Sequence, residues 1–324
     1  MLYRKFGNSD HHVSAIGLGC WQFSGNRGLA GRFWGDMDES TIRSIVQTSL
    51  EGKVNWFDTA EMYGGGYSER SLSAALQSLS IQEQDTFIAT KWNPVLRFAS
   101  SIGHSFVDRE TNLAPYPIRV LQVHNPSSLS SIEKQMQAMA ALVHAGKIEM
   151  VGVSNFSLDQ MKKANEALKA VGLTLASNQM RYHLLDRSIE TNGVLDYARQ
   201  HGITIIAYSP LAQGLLTGRY HEQPNLIRKR PGFRKYLPAF SENSLHRTQP
   251  LIEILKDIAG EHNATPAQVA LRWVVQARGE NVIAIPGASS AHQAQQNAAV
   301  MDLELTSAEI HLLDKISREV SGRP

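Results

Sequence analysis

The segment Val54-Asn55-Trp56-Phe57-Asp58-Thr59-Ala60-Glu61-Met62-Tyr63-Gly64-Gly65-Gly66 joins a short apolar run to a polar end and a glycine turn. A run that is mostly apolar, too short for a helix and without clean alternation suits a strand covered on both faces. The same pattern recurs along the chain. Strand candidates fall at 15–19, 54–59, 86–91, 119–124, 149–153, 174–179, 203–208 and 282–285, of which only the fourth is mixed in character. Stretches of helical spacing separate them. Strands alternating with helices predict a parallel sheet, and eight repeats favour closure into an α/β, (β/α)8 TIM barrel over an open sheet.

The helices announce themselves by their ends. Ser130-x-x-Glu133 and Ser157-x-x-Gln160 read as capping boxes, in which side chains bond back to the first free amides of a helix. Apolar stripes follow: Ile132, Met136, Met139 and Val143 in one, Leu158, Met161, Ala164, Leu168 and Val171 in the next. Gly172 and Gly202 are placed to end helices. Thr265-Pro266-x-Gln268 combines a cap, a proline at the first helical position and a capping glutamine. Thr306-x-x-Glu309 opens a last helix with Ile310, Leu313 and Ile316 on one side. Residues 2–14, with Gly7-Asn8-Ser9-Asp10 in the middle, predict a β-hairpin ahead of the first barrel strand. A helix is also expected within 97–118, with Ile102, Phe106, Arg109 and Leu113 on one side. Two long loops, 20–37 and 210–247, should lie on the C-terminal face of the barrel, where such folds build their sites.

Composition narrows the class. At 324 residues and 42% hydrophobic content, one barrel domain over 1–324 accounts for the whole chain. A net charge of +2 gives no reason to expect nucleic acid or an anionic membrane as partner. Cys20 is the single cysteine, so neither an internal disulfide nor a cysteine-rich metal site is available. The start of the chain lacks the apolar stretch of a secretion signal, and no apolar run approaches a membrane span, so a cytoplasmic protein is expected. The twelve histidines show no metal-ligand spacing, and no metal is expected. Gly64-Gly65-Gly66 is followed by no Lys-Ser/Thr pair and reads as a turn rather than a phosphate loop.

Chemistry enters at the strand ends. Three consecutive strands finish in Asp58, Lys91 and His124, with Tyr63 just past the first. In a barrel all four converge at one end. Each has a bland reading alone: a helix cap, a solvated lysine, a structural histidine, a loop aromatic. Together they form a general-acid site. A tyrosine hydroxyl is a poor acid at neutral pH, and a nearby ammonium favours the phenolate. Lys91 can supply that charge, Asp58 can hold Lys91, and His124 can direct a substrate carbonyl oxygen or share the proton.

These residues resemble the aldo-keto reductase superfamily, whose Asp, Tyr, Lys, His tetrad is matched in spacing by Asp58, Tyr63, Lys91 and His124. The resemblance runs from Ile16-Gly17-Leu18-Gly19-Cys20-Trp21 to Ile285-Pro286-Gly287-Ala288-Ser289-Ser290. Its specific pieces are Asp58-Thr59-Ala60-x-x-Tyr63-Gly64, Gly152-Val153-Ser154-Asn155-Phe156 and Ala207-Tyr208-Ser209-Pro210-Leu211, in that order. It implies reduction of an aldehyde or ketone, a small-molecule carbonyl substrate and NADPH as cofactor, with NADH as the alternative. Ser154, Asn155 and Gln179 would then bond the nicotinamide carboxamide, and Tyr208 would stack on the ring. Ser209, Pro210, Leu211 and Gly214 would line the pyrophosphate, and Gly287, Ser289, Gln293, Gln296 and Asn297 the adenosine end. Trp21 would contact both cofactor and substrate, alongside Asp58 on the cofactor side and Trp92, Tyr63 and His124 on the substrate side.

The departures are also informative. Residues 97–118 lack the leucine-rich helix and glycine turn usual in the family, and Gln296 stands where glutamate is frequent. Ser289 and Gln293 replace the arginine that often meets the cofactor 2′-phosphate. The Gly-x-Ser, Gln, Asn pattern is similar to the potassium-channel β-subunit branch, so a cofactor-binding regulatory subunit is an alternative, as is a polyol dehydrogenase. Arg219, Arg228, Lys229, Arg230, Arg234 and Lys235 form a basic cluster with no acidic residue from 223 to 241. Arg219 falls where related branches carry a cation towards the phosphates.

Overall fold

Eight short parallel strands carry the site: β3 (Leu18–Gly19), β4 (Trp56–Asp58), β5 (Phe87–Trp92), β6 (Ile118–Val123), β7 (Met150–Ser154), β8 (Leu175–Arg181), β9 (Thr204–Tyr208) and β10 (Val282–Ala284). Each pairs with its neighbours in chain order, and parallel bridges Ile16 to Ala284 and Gly19 to Gly287 bring the first strand to the last. The Gly17 amide donates to the Ala284 carbonyl at 2.8 Å across that seam, which closes the barrel. This computed structural model describes residues 2–28, 33–229 and 233–321, the side chains of 233 and 234 excepted.

Side chains two apart on a strand share a face, and that period decides what enters the barrel. Trp56, Phe87, Ala89, Val120 and Ile206 fill the interior towards the N-terminal end. The next inward positions up the strands are Asp58, Lys91, Gln122 and Tyr208, so the interior turns from apolar to polar as it rises. Residues of the opposite parity, among them Phe57, Ile88 and Val151, belong to the larger core between sheet and helices. Gly152 is required inside: a Cβ there would lie 2.4 Å from Ser177 Oγ and 2.8 Å from Gln122 Cγ.

The hairpin of β1 (Tyr3–Lys5) and β2 (His12–Ser14) pairs antiparallel as expected and stops the N-terminal end of the barrel. Phe6 packs edge-on to Trp56 and at 4.8 Å from Phe87. Arg4, buried, donates to the carbonyls of Gly279, Val282 and Val275.

Ser157 and Thr265 head capping boxes, and Thr306 and Glu309 exchange bonds in the same way. Gly172 and Gly202 adopt the left-handed conformation expected after a helix, with φ +78° and +63°. The helix Ser101–Leu113 occupies the unusual segment and buries Ile102, Phe106, Arg109 and Leu113. Three expectations need correction. The cap of helix Ile132–His144 is Ser131, not Ser130, whose hydroxyl instead accepts from the Ala99 amide. Helix Leu158–Lys169 ends before Val171. The loop after β9 is shorter than 210–247, because a 20-residue helix starts at Glu242, and five short helical turns, at 212–217, 219–222, 225–228, 233–236 and 238–240, precede it. Among the described residues, no helix is long and apolar enough to cross a membrane.

Candidate active site

Asp58 lines a cavity of about 1110 Å³ at the C-terminal end of the barrel, and Lys91 is buried behind it. Both are almost wholly buried, 1% and 0% exposed. An ion pair out of water is stable only when its remaining bonding capacity is met. Here it is: Lys91 Nζ donates to Asp58 Oδ1 and to the Thr59 carbonyl at 2.9 Å. Asp58 Oδ2 accepts from Gln122 Nε2 at 3.1 Å and from Gln179 Nε2 at 2.8 Å.

Tyr63 stands above this pair on a tight turn. Its amide donates to the Ala60 carbonyl at 3.0 Å, and its own carbonyl accepts from Ser68 at 3.1 Å. The turn closes on Gly64, φ +67°, where a Cβ would sit 2.4 Å from the Ser24 carbonyl oxygen. The Tyr63 ring has Lys91 Nζ 5.1 Å from its centroid, the His124 ring at 5.8 Å edge-on, and the Trp21 ring stacked at 5.9 Å. The four predicted residues therefore meet.

Their electrostatics differ from the sequence expectation in one respect. Burial pushes the Tyr63 hydroxyl well above its ordinary range, and the Asp58, Cys20 and Tyr208 groups add to that shift. Lys91, paired with Asp58, does not offset that rise while the hydroxyl is protonated. Tyr63 is thus a phenol that keeps its proton across the neutral range rather than a weakened one. Burial, and then the Lys91 charge, bring His124 down to about 3. A neutral imidazole faces the cavity, with its buried Nδ1 lacking a partner.

A stability prediction follows. Burial also lowers His183 to about 4 and His221 to about 4, from an ordinary 6.5. Between those values and 6.5 the unfolded chain binds protons that the folded one refuses, so stability rises with pH across that window. It is therefore complete above about pH 6.5 and lost as the pH falls towards 4 and 3. Thermal melting followed from neutral pH downwards should show a falling midpoint, and a flat one contradicts this account.

The residues expected to bind a cofactor line the same cavity as Tyr63: Trp21, Ser154, Asn155, Gln179 and Tyr208, with Ser209, Pro210, Leu211, Gly214 and Arg219 after β9 and Gly287, Ser289, Gln293, Gln296 and Asn297 after β10. Asn155, at φ +60°, accepts from the Tyr208 hydroxyl at 2.9 Å and donates to Ser154 Oγ at 3.1 Å. Four residues of 209–214 have positive φ: Ser209, Ala212, Gln213 and Gly214. Trp92 is the exception. It is 1% exposed, packs in the outer core and bonds Ser101 Oγ through its indole. With Lys91 pointing inward, the next residue has to point outward, so Trp92 is no wall of the substrate pocket.

Sequence reasoning missed Phe33 and Trp34, which pack against Trp21 at 5.1 and 5.7 Å, and Met62, which also lines the cavity. It also missed His292 and the helix start at Thr265-Pro266 as cavity-lining groups. The cap at Thr265 was legible, but the side of the barrel on which it opens was not. Among the described residues no group of three or more His, Cys, Asp or Glu could hold a metal.

The Aldo/keto reductase family model matches residues 15–318. The chain belongs to this family. An aldo/keto reductase with this tetrad geometry is an oxidoreductase, and its relatives agree. It is 38% identical over 299 residues, 91% of this chain and 86% of the other, to an uncharacterised oxidoreductase of Mycobacterium tuberculosis. It is 28% identical over 335 residues to a probable voltage-gated potassium channel subunit beta of Arabidopsis thaliana, covering 100% and 98% of the two chains. Among solved structures, the glycerol dehydrogenase of Gluconobacter oxydans superposes with a TM-score of 0.85 at 26% identity, over 99% and 97% of the chains. An aldo/keto reductase of Klebsiella pneumoniae in complex with NADP and acetate superposes with a TM-score of 0.72, and its complex with NADPH with 0.73, each at 26% identity over 97% and 94% of the chains.

Proposed function

We propose that this aldo/keto reductase reduces an aldehyde or ketone to the alcohol, with NADPH as cofactor and Tyr63 as proton donor. One observation carries the reading: the buried Asp58–Lys91 pair lies beneath a tyrosine and a neutral histidine that face one cavity.

The cavity residues fit a dinucleotide. Amide groups of Asn155 and Gln179 sit beside Tyr63, where a carboxamide needs donors and acceptors. The starts of helices Pro266–Gln276 and Ala291–Ala299 reach the cavity further out, and helix starts favour anions. Gln213 Oε1 is buried there without a partner. NADPH, when bound, supplies the hydride. The protein does the rest. His124 orients the carbonyl oxygen, Tyr63 gives its proton to the alkoxide, and the Lys91 ammonium stabilises the phenolate left behind. Asp58, held by two glutamine amides, keeps Lys91 in place.

The likeness to a glycerol dehydrogenase supports a second reading, alcohol oxidation, in which the same groups act in reverse. Rates in both directions, read from NADPH absorbance over a panel of aldehydes, ketones and polyols, test the proposal. Saturable reduction is expected. Tight NADPH binding with no turnover across the panel would overturn it in favour of a binding subunit.

NADPH should be preferred over NADH. Arg219 is the one Lys or Arg lining the cavity among the described residues, and Ser289 and Gln293 offer neutral bonds beside it. Arg230, and the side chain of Arg234, lie outside the described residues. A hydrogen bond to a charged group contributes roughly 1.5–3 kcal/mol, an advantage of about 10- to 150-fold for NADPH. Arg219 is exposed, so added salt should shrink the preference. Dissociation constants for both cofactors, measured at two ionic strengths, check this. Equal affinities at low salt would mean that 2′-phosphate recognition has been lost.

A further inference from the structure

The turn that carries Tyr63 is gripped from outside by a chain of charges that no step above uses. Glu61, two residues before Tyr63, accepts from Arg97 Nη1, from Arg109 Nη1 at 3.2 Å and from the Asn93 amide at 3.4 Å. Arg109, nearly buried, passes the contact on: its Nε donates to Glu69 Oε2 at 2.7 Å. Glu69, fully buried, also accepts from Thr90 Oγ1 at 2.6 Å and from Asn112 Nδ2 at 3.0 Å. Thr90 precedes Lys91 on β5. The chain of contacts thus ties the Tyr63 turn to the strand that holds the ammonium, by way of helix Ser101–Leu113.

The turn needs an external hold. Met62 is exposed, and Gly64, Gly65 and Gly66 bring no side chains to pack. Its internal bonds, Tyr63 to Ala60 and Gly66 to Glu61 at 2.8 Å, fix its shape, and a single backbone bond, from the Glu61 amide to the Lys91 carbonyl at 3.3 Å, ties its start to β5. Charge-assisted bonds from two guanidiniums are stronger and more directional than neutral ones. Trp21 restrains one face of the Tyr63 ring, and the Glu61 contacts restrain the backbone beneath it.

We propose that Glu61 is a positioning residue: held by Arg97 and Arg109, it keeps the Tyr63 hydroxyl registered over Lys91 and beside His124. This rests on the reading of Tyr63 as the proton donor. A displacement of about 1 Å at a reacting group can cost on the order of 10²-fold in rate.

The test is a double-mutant cycle on the full chain. Glu61→Ala should lower kcat by about 10- to 100-fold, with carbonyl KM and NADPH affinity little changed. Glu61→Gln, which keeps the shape and one acceptor oxygen, should recover part of that loss. In a Tyr63→Phe background, measured in single turnover at high enzyme concentration, Glu61→Ala should cost nothing further, because the group it positions is gone. An equal loss in both backgrounds, or a loss matched by a rise in KM, overturns the inference while leaving Tyr63 as donor. Thermal melting of each variant separates a fall in kcat from a fall in folded protein, and a kcat that merely tracks melting also overturns it. Full activity in Tyr63→Phe alone overturns the donor reading, and this inference with it.

Discussion

Replacement of Tyr63 by Phe should remove nearly all turnover and leave cofactor affinity almost unchanged. The ring's neighbours, Trp21 at 5.9 Å and His124 at 5.8 Å, contact its carbon framework, which Phe keeps. What is lost is the proton. Loss of a general acid costs about 10²–10⁴ in rate. The raised Tyr63 hydroxyl makes the expectation sharper, since burial keeps the proton on the oxygen across the neutral range. Steady-state rates measure one half of the prediction, and cofactor titration by tryptophan fluorescence measures the other. A variant keeping half its activity would sink the assignment.

Lys91→Met should be nearly as damaging, for a different reason. The ammonium is wholly buried, and its removal strands the Asp58 carboxylate in the protein interior. Breaking a buried pair by deleting one partner typically costs about 3–5 kcal/mol of stability. Gln122 and Gln179 would still donate to Asp58 Oδ2, but Oδ1 would lose its charged partner. Adding Asp58→Asn should restore part of the stability and cost little further activity, because the carboxylate has no purpose without the ammonium. Groups that share one network are not additive. Denaturant unfolding and kcat/KM of the two single variants and the double variant decide it, and fully additive losses would mean that the two residues do not work as a unit.

Much of this was legible because barrel strands are buried on both faces. Their apolar runs stand out, and a charged residue at the end of one has no neutral explanation once three coincide. That is why Asp58, Lys91 and His124 could be chosen from thirty acidic, thirty-two basic and twelve histidine side chains. The Trp92 error was avoidable: inward Lys91 implies outward Trp92 by the two-residue period. Other failures were not avoidable. Ser130 and Ser131 are equal candidates as caps until Ser130 is seen to bond Ala99, thirty-one residues away. Phe33, Trp34 and His292 reach the cavity from loops and a helix start whose direction no local pattern encodes. The same holds for Tyr63: its acidity depends first on burial and then on the Asp58 charge nearby, neither of which spacing along the chain reveals.

The hairpin under the barrel has a consequence for traffic. With Phe6, Trp56 and Phe87 stopping the lower end, whatever reaches Tyr63 enters and leaves through the upper mouth. Occupants of a blind shaft form a queue, in which the one lodged across the exit has to clear before the one beneath it. The loops around that mouth, not the strands, then set how quickly the site empties. Rewriting Trp21, Phe33 and Trp34 or the helical turns after β9 would change pace and clientele while the buried pair below stayed as it is.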